Sequence, residues 1–296
     1  MLLLHDSSAF TGCIGTDCTC SSNRMRRVMI PDPRYTMVIC SCDSYEDAWD
    51  PFLMLLKRYW PGFGGPVVLN TETKTYVDER FNVVYPRLYR GHPDPTSVPW
   101  SKRLRETLEQ TVKTELLMLF LDDFYVRSPV NTQKLEICLQ LMERNQAVAN
   151  ILLSSCPQPY SPTKEYPWLL KRWKKAPSIF GFQSGPCRKE CLLHFLRDHE
   201  SPWYFERWGS LRARRYPDDF YAVAANHGKE GIFDYCPSIH GLSKGLWLGQ
   251  TGELFKAEGI AVELSQRGVM PIGWKAPRRR RNWLKTAWNI YLSLRP

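Results

Sequence analysis

Two adjacent carboxylates follow a run of apolar residues in the middle of the chain. Residues 116–121 are all apolar, and Asp122 and Asp123 come next. The run fits a strand buried on both faces, although a buried helix segment would show the same short pattern. Open α/β sheets bind ligands at the carboxyl ends of such strands. Neighbouring carboxylates stay ionised most readily in water or beside a cation, so the first hypothesis is a metal–nucleotide site with Asp122 and Asp123 as ligands of Mg²⁺ or Mn²⁺.

Other polar residues follow two earlier apolar runs. Residues 36–42 predict a buried strand, and residues 66–70 predict a second, shorter strand. The ends of these strands should meet the aspartate pair at one sheet edge, where a carboxylate could hold ribose or base and an aromatic ring could stack. The candidates for nucleotide binding, and so for the donor of any group transfer, are Ser41, Cys42, Asp43, Tyr45, Asn70 and Glu72. The alternative is that Asp43 caps the following helix and that Tyr45 packs.

Basic and imidazole side chains add candidates for phosphate. Arg103 lies near the start of a predicted helix and could reach a diphosphate, or it is an ordinary exposed helix residue. His227 and His240 are weaker candidates for phosphate or metal contacts, because a lone histidine is more often structural. Lys244 and Arg267 are the weakest phosphate candidates.

Glu206 is the candidate general base. The preceding residues, 203–205, are Trp-Tyr-Phe, and aromatic surroundings would raise the pKa of the carboxyl group toward a value useful for accepting a proton. Asp218 and Asp219 compete for the same role because they also lie in aromatic sequence. The alternative for Glu206 is a surface ion pair with Arg207 or Arg212.

The order of the predicted elements indicates how these residues are positioned. Strands and helices alternate from residue 36 to residue 153, which predicts an α/β fold with a mainly parallel sheet flanked by helices. The helices are predicted from periodic apolar residues over 48–59, from Ser101 onward, and over 132–144. Residues 156–186 are expected to be irregular, residues 188–199 helical, and residues 218–221 a loop or a helix start.

Three segments are expected along the chain. Residues 1–34 predict a loose N-terminal arm, residues 35–275 the main domain, and residues 276–296 a basic amphipathic segment. In the last segment, four arginines at 278–281 precede apolar residues at helical spacing, which suits an anionic membrane surface contacted through residues 278–295. The alternative is a terminal helix that docks on the protein's own core or on a second subunit.

Composition narrows the class of partner and the location. The chain has 296 residues with 40 basic and 30 acidic side chains, a formal charge of +10 that favours anionic partners. The apolar start, residues 1–4, is too short for a signal peptide, so we expect a cytoplasmic protein. The alternative expectation is a protein bound peripherally to the cytoplasmic face of the membrane. The ten cysteines lack zinc-site spacing, and we expect them to be small buried side chains.

Several motifs together resemble bacterial GT-A glycosyltransferases of surface-polysaccharide biosynthesis, such as those of capsule and O-antigen clusters. The resemblance spans roughly residues 36–270. The later motifs look like the half of the family's domain that faces the acceptor substrate. The segments that show it are Cys40–Trp49, Leu69–Glu72, Trp100–Leu104, Leu121–Phe124, Phe182–Lys189 and Glu200–Glu206.

This resemblance implies a GT-A, Rossmann-like fold, to which the residue patterns add an irregular acceptor-side region and a C-terminal amphipathic helix. It also implies a nucleotide-sugar donor, a divalent cation, and transfer to a hydroxyl of a glycan or a lipid-linked glycan. The chain departs from the family pattern because Asp122-Asp123-Phe124 replaces the usual Asp-x-Asp, so the dependence on metal is an inference.

Two other functional classes compete. A sugar nucleotidyltransferase, or another metal–nucleotide enzyme, usually has a Gly-rich loop with a basic residue after its first strand, and residues 41–46 contain neither. A nucleic-acid-binding protein would explain the positive charge through salt-sensitive phosphate contacts. It gives no role to Asp122 and Asp123, and therefore we expect no nucleic acid partner.

Overall fold

The computed structural model describes residues 34–153, 158–224, 231–235, 240–274 and 283–295. The predictions for the N-terminal arm, for His227 and for the arginines at 278–281 lie outside these residues, apart from Arg34 at the end of the arm. The three-segment division of the chain stays a prediction.

In the part of the chain that the structure describes, nine strands form one mixed sheet. They are β1 (Tyr35–Cys40), β2 (Val67–Asn70), β3 (Val83–Val84), β4 (Leu116–Leu121), β5 (Val148–Leu152), β6 (Tyr160–Pro162), β7 (Leu169–Arg172), β8 (Gly185–Arg188) and β9 (Asp219–Val223). Their spatial order is β3-β2-β1-β4-β8-β5-β9-β7-β6. Since β7 and β8 run antiparallel to their neighbours, the other seven strands point the same way. A separate hairpin pairs β10 (Leu242–Ser243) with β11 (Leu246–Trp247).

Helices cover the sheet and continue beyond it. They are α1 (Glu46–Tyr59), α2 (Trp100–Gln110), α3 (Thr132–Arg144), α4 (Lys189–Phe195), α5 (Pro202–Tyr204), a π-helical turn (Phe205–Gly209), α6 (Ser210–Ala213), α7 (Gly249–Ala257) and α8 (Trp283–Leu294). The elements from α5 to α6 follow one another without a break.

The two faces of the sheet bury separate hydrophobic clusters, which explains the continuous apolar runs. In β4, Met118 and Phe120 pack with α1 and α3 on one face. Leu117 and Leu119 pack with α2 and α4 on the other. A strand covered on both faces needs apolar side chains at every position. The predicted buried strand before Asp122 is therefore confirmed.

Some of the other secondary-structure predictions are confirmed, and others are wrong. The helix over 132–144 has the predicted bounds, and the strands expected over 36–42 and 66–70 are present with bounds shifted by one or two residues. The region 156–186, expected to be irregular, instead contributes β6, β7 and the start of β8. Residues 219–221 belong to β9 rather than to a loop or a helix. These strands depend on pairing with distant segments, because β7 pairs with β9 and β8 with β4.

The cysteines follow the expectation wherever the structure describes them. They are unpaired, and all but Cys42 are buried.

Candidate active site

A cavity of about 670 Å³ opens at the carboxyl ends of β1 and β4. Residues 182 and 183 reach the same edge because they precede β8, which runs antiparallel to β4. The cavity is also lined by α2, by the helical stretch that begins with α5, and by the β10 hairpin. Among the residues predicted from the sequence, those that line it are Ser41, Cys42, Tyr45, Arg103, Asp122, Asp123, Glu206, His240 and Lys244.

Asp122 is held by the residue that follows the neighbouring strand. The parallel pairing of β1 with β4 sets residue 40 opposite residue 121, so Ser41 comes next to Asp122. The Ser41 hydroxyl donates a hydrogen bond to Asp122 Oδ2 and accepts one of 2.6 Å from Trp49 Nε1. Burial and the charge of Asp123 raise the pKa of Asp122 well above its ordinary value, and the Ser41 hydrogen bond opposes them.

Asp123 is tied to the β10 hairpin. Its Oδ2 accepts a hydrogen bond of 3.2 Å from the Leu242 backbone N–H, and its carbonyl oxygen accepts one of 2.7 Å from the Gly241 N–H. Burial raises the pKa of Asp123 to about 6, against the opposing effects of the Leu242 N–H and the charge of His240. The hairpin therefore holds the second carboxylate, and His240 lies close enough for its charge to act on Asp123.

The two aspartates fit a divalent cation. They offer carboxylate oxygens, which Mg²⁺ and Mn²⁺ accept, and a cation would favour the ionised form that burial now disfavours. Within the described ranges, no group of three or more His, Cys, Asp or Glu side chains is arranged to hold a metal. Since Mg²⁺ usually combines one or two carboxylates with substrate phosphates and water, the pair suffices for a cation shared with a substrate.

Arg103 lines the cavity as a buried cation. Its Nη1 lies 2.8 Å from Glu72 Oε1, and both side chains are less than a tenth exposed. Burial raises the pKa of Glu72, although the charge of Arg103 opposes this. The Arg103 Nε atom has no hydrogen-bond partner among the described residues. A buried N–H group without a partner costs about 1–3 kcal/mol, so an anion in the cavity would gain from binding it.

Three residues predicted to bind the donor do not line the cavity. Asp43 instead accepts hydrogen bonds from the Thr73 hydroxyl at 2.6 Å and from the backbone N–H groups of Glu72 and Thr73. Burial alone would raise the pKa of Asp43, but these hydrogen bonds outweigh it and lower the pKa. Asn70 Oδ1 accepts a hydrogen bond of 2.9 Å from the Thr107 hydroxyl. Asp43, Asn70 and Glu72 therefore support the wall behind the cavity.

Glu206 lies among the aromatic residues that line the cavity. It belongs to the π-helical turn and shares the cavity lining with Trp100, Phe182 and Trp203. Burial raises the pKa of Glu206, although a long hydrogen bond of 3.4 Å from the Phe182 N–H opposes the rise. A half-buried carboxyl group with a raised pKa is suited to accept a proton.

The ion pairs that were the alternative for Glu206 do not form. Arg212 instead pairs with Glu200 at 2.7 Å, and the Arg207 guanidinium lies 4.9 Å from the Trp208 ring. No acidic or basic side chain in the described ranges forms a salt bridge with Glu206.

Asp219, the competing base candidate, lies outside the cavity. It is the first residue of β9, which points the same way as β4, so it lies at the edge of the sheet opposite Asp122. There it pairs with Lys171 at 2.7 Å. Its position gives it no access to a substrate in this cavity, so Asp219 is not part of the candidate site.

Sequence reasoning gave no role to several lining residues. Trp100, Phe182 and Gln183 come from segments separated by about 80 residues and meet only in the folded chain. The β10 hairpin could have been suspected from the Lys244-Gly245 pair, which forms its turn. The φ angles of these residues are 55° and 83°, as in a type I′ turn. Nothing in the sequence indicates that this hairpin contacts Asp123.

Comparisons with known proteins give a distant likeness. No protein-family model matches the chain, and a search of curated proteins finds no match. Among solved structures, TarS 1–349 from S. aureus, a glycosyltransferase, is 11% identical over 65% of this chain and 58% of that chain, with a TM-score of 0.40. A second S. aureus TarS structure is 12% identical over 66% of this chain and 37% of that chain, with a TM-score of 0.39. This chain spans less than two thirds of either TarS chain, and we infer nothing about function from a likeness at this distance.

Proposed function

We propose that the chain is a glycosyltransferase that moves a sugar from a nucleotide-sugar donor to a hydroxyl of a glycan or lipid-linked glycan. The observation that carries the proposal is one cavity with a buried carboxylate pair, Asp122 and Asp123, on one wall and Glu206 among aromatic rings on another. Glycosyl transfer needs stabilisation of the leaving diphosphate and removal of a proton from the acceptor. The two walls offer one group for each task.

The donor end of the cavity combines charge with an aromatic ring. Asp122 and Asp123 would hold Mg²⁺ or Mn²⁺, which neutralises charge on the leaving diphosphate. Arg103 supplies a buried guanidinium with an unpartnered N–H for the same oxygens. Tyr45 lines the cavity and is half-buried, and the Arg267 guanidinium lies 4.6 Å from the centroid of its ring. Arg267 would hold the Tyr45 ring in place for a nucleobase to stack on it.

The acceptor end supplies the base. Glu206 accepts the proton of the acceptor hydroxyl while the hydroxyl oxygen forms a bond to the anomeric carbon of the donor. The bond from that carbon to the diphosphate oxygen breaks, and its electron pair leaves with the diphosphate. A carboxylate that acts directly on the acceptor favours inversion at the anomeric carbon. Trp100 and Phe182, whose ring centroids lie 4.6 Å apart, cover the adjacent wall and keep water from it.

A thermal-shift panel tests the proposal. UDP-, GDP-, CMP- and dTDP-sugars are compared with and without Mn²⁺, because a ligand that binds the native state raises its melting temperature. At least one nucleotide sugar should raise the melting temperature more with Mn²⁺ than without it. Asp123→Ala should remove the metal-dependent part, whereas the matched Asp219→Ala at the opposite edge should keep it. A wild-type protein that responds to none of the four classes contradicts the proposal.

The C-terminal helix supports a position at a membrane surface. One face of α8 is docked, since His199 Nε2 lies 3.0 Å from Ser293 Oγ and Arg212 donates a 2.6 Å hydrogen bond to the Ser293 carbonyl. The other face leaves Trp288 60% exposed and Tyr291 52% exposed, with their rings stacked. An aromatic face next to the basic sequence at 278–281 suits anionic lipid and would bring the enzyme to a lipid-linked acceptor.

No helix within the described ranges is both long enough and apolar enough to span a bilayer.

Vesicle flotation tests the membrane proposal. The protein should float with vesicles that contain phosphatidylglycerol and not with pure phosphatidylcholine. The double substitution Trp288→Ser and Tyr291→Ser should weaken flotation, while Trp173→Ser, which removes an exposed tryptophan elsewhere, should not. Equal flotation of both variants contradicts the proposal.

A further inference from the structure

Trp203 and Lys244 lie together at the edge of the cavity. Trp203 is 71% exposed, although it belongs to the cavity lining, whereas Phe182 on the same wall is 2% exposed. Lys244 Nζ lies 5.6 Å from the centroid of the Trp203 ring. A broad apolar ring left in water is a surface that a sugar ring can cover, because burial of apolar area is favourable.

The backbone holds Lys244 in this place. Its φ angle of 55° is in the left-handed region, which is unfavourable for a side chain with a Cβ. The hairpin maintains this conformation, and the hydrogen bonds of Gly241 and Leu242 to Asp123 anchor the hairpin to the cavity. No carboxylate in the described ranges pairs with Lys244, so its charge is available to a ligand.

The charges of the cavity assign Lys244 to the acceptor end. Glu206 must be ionised to accept a proton, and Arg103 is already paired with Glu72. An anionic acceptor would be repelled by Glu206 unless another cation compensated for its charge. Trp203 precedes Glu206 by three residues in one helical stretch, so a sugar on the Trp203 ring lies near the base.

We infer that Trp203 and Lys244 form an acceptor subsite for a sugar that bears an anionic group, either a carboxylate or a phosphate. The sugar ring stacks on Trp203, and the anionic group pairs with Lys244. This inference rests on the proposed function, because it assigns the substrate class for the acceptor side of the same cavity.

Saturation-transfer NMR titrations test the subsite with methyl glucoside, methyl glucuronide and glucose 6-phosphate. Both anionic sugars should bind about fivefold more tightly than the glucoside, the effect of one exposed ion pair. Lys244→Ala should remove this preference. Trp203→Ala should weaken all binding roughly tenfold, as expected for the loss of an aromatic contact. Trp173→Ala and Lys175→Ala change exposed residues outside the cavity. These control variants should bind all three sugars with wild-type affinity.

The outcomes separate the subsite from the proposed function. Equal affinity for all three sugars, no binding of any, or a preference that survives Lys244→Ala overturns the inference. A preference for only one anionic sugar supports it and identifies the anion. Nucleotide-sugar thermal shifts are measured in the same variants. Loss of these shifts in Lys244→Ala would place Lys244 at the donor and overturn the inference. If no nucleotide sugar shifts the wild type while anionic sugars bind, the glycosyltransferase proposal fails and the sugar subsite stands.

Discussion

The hydroxyl of Ser41 donates a hydrogen bond to Asp122, although 81 positions separate the two residues in the chain. Parallel pairing of β1 and β4 brings them together, and Trp49 completes the arrangement by donating to the Ser41 oxygen. One carboxylate of the pair is therefore oriented from the sheet, and its neighbour Asp123 is oriented from the β10 hairpin.

Ser41→Ala should weaken metal binding without unfolding the protein. The substitution removes the hydrogen bond that opposes the raised pKa of Asp122, so a smaller fraction of this carboxyl group is ionised at neutral pH. Hydrogen bonds to charged groups contribute about 1.5–3 kcal/mol, which corresponds to a loss of at least tenfold in Mn²⁺ affinity. Isothermal titration with Mn²⁺ and donor measures this, with exposed Ser44→Ala as the control. Unchanged affinity in Ser41→Ala would show that Asp122 is not a ligand.

The metal-free protein should lose stability as the pH rises through the titration of Asp123. Its pKa is raised from 3.8 to about 6 in the folded state, so protonation favours folding below the unfolded value and this contribution disappears above about pH 6. The loss should amount to about 1–3 kcal/mol. Urea unfolding in EDTA between pH 4 and pH 7.5 measures it. Asp123→Asn should flatten the profile in this window, and an identical slope in the variant contradicts the prediction.

Glu206→Gln should stop transfer while leaving the donor bound. The amide keeps the shape of the side chain but cannot accept a proton at neutral pH, and loss of a general base lowers the rate by about 10²–10⁴-fold. Release of the nucleotide product measures transfer, and thermal shift measures donor binding. Asp219→Asn at the opposite sheet edge is the matched control and should retain the wild-type rate. Normal transfer by Glu206→Gln would rule out this residue as the base.

Arg103→Ala should destabilise the protein and weaken donor binding for separable reasons. Removal of the arginine leaves Glu72 as an unpaired buried charge, which costs about 3–5 kcal/mol. The double variant Arg103→Ala with Glu72→Gln removes that charge and should recover much of the stability. Donor affinity should stay at least tenfold reduced in the double variant because the diphosphate still lacks its guanidinium. Urea unfolding and donor titration measure the two effects, and recovered donor affinity in the double variant would exclude Arg103 from the donor site.

Local sequence patterns predicted the strands that form the site. The apolar runs of β1 and β4 and the periodic apolar residues of α1 determine which segments are buried, because burial of apolar area is a property of each segment's own residues. Parallel strands then meet at their carboxyl ends, and for this reason Ser41, Asp122 and Asp123 could be assigned to one edge before the structure was known.

The tertiary structure alone decided which polar side chains face the cavity. Asp43 and Glu72 have the residue types of a nucleotide site, yet Asp43 binds the 72–74 loop and Glu72 binds Arg103. Asp219 lies at the opposite edge of the sheet because β9 pairs parallel to β5. The β10 hairpin contacts Asp123, from which it is separated by more than a hundred residues in the chain. Hydrogen bonds and strand pairings between distant segments depend on how the whole chain packs, so no short stretch of sequence contains them.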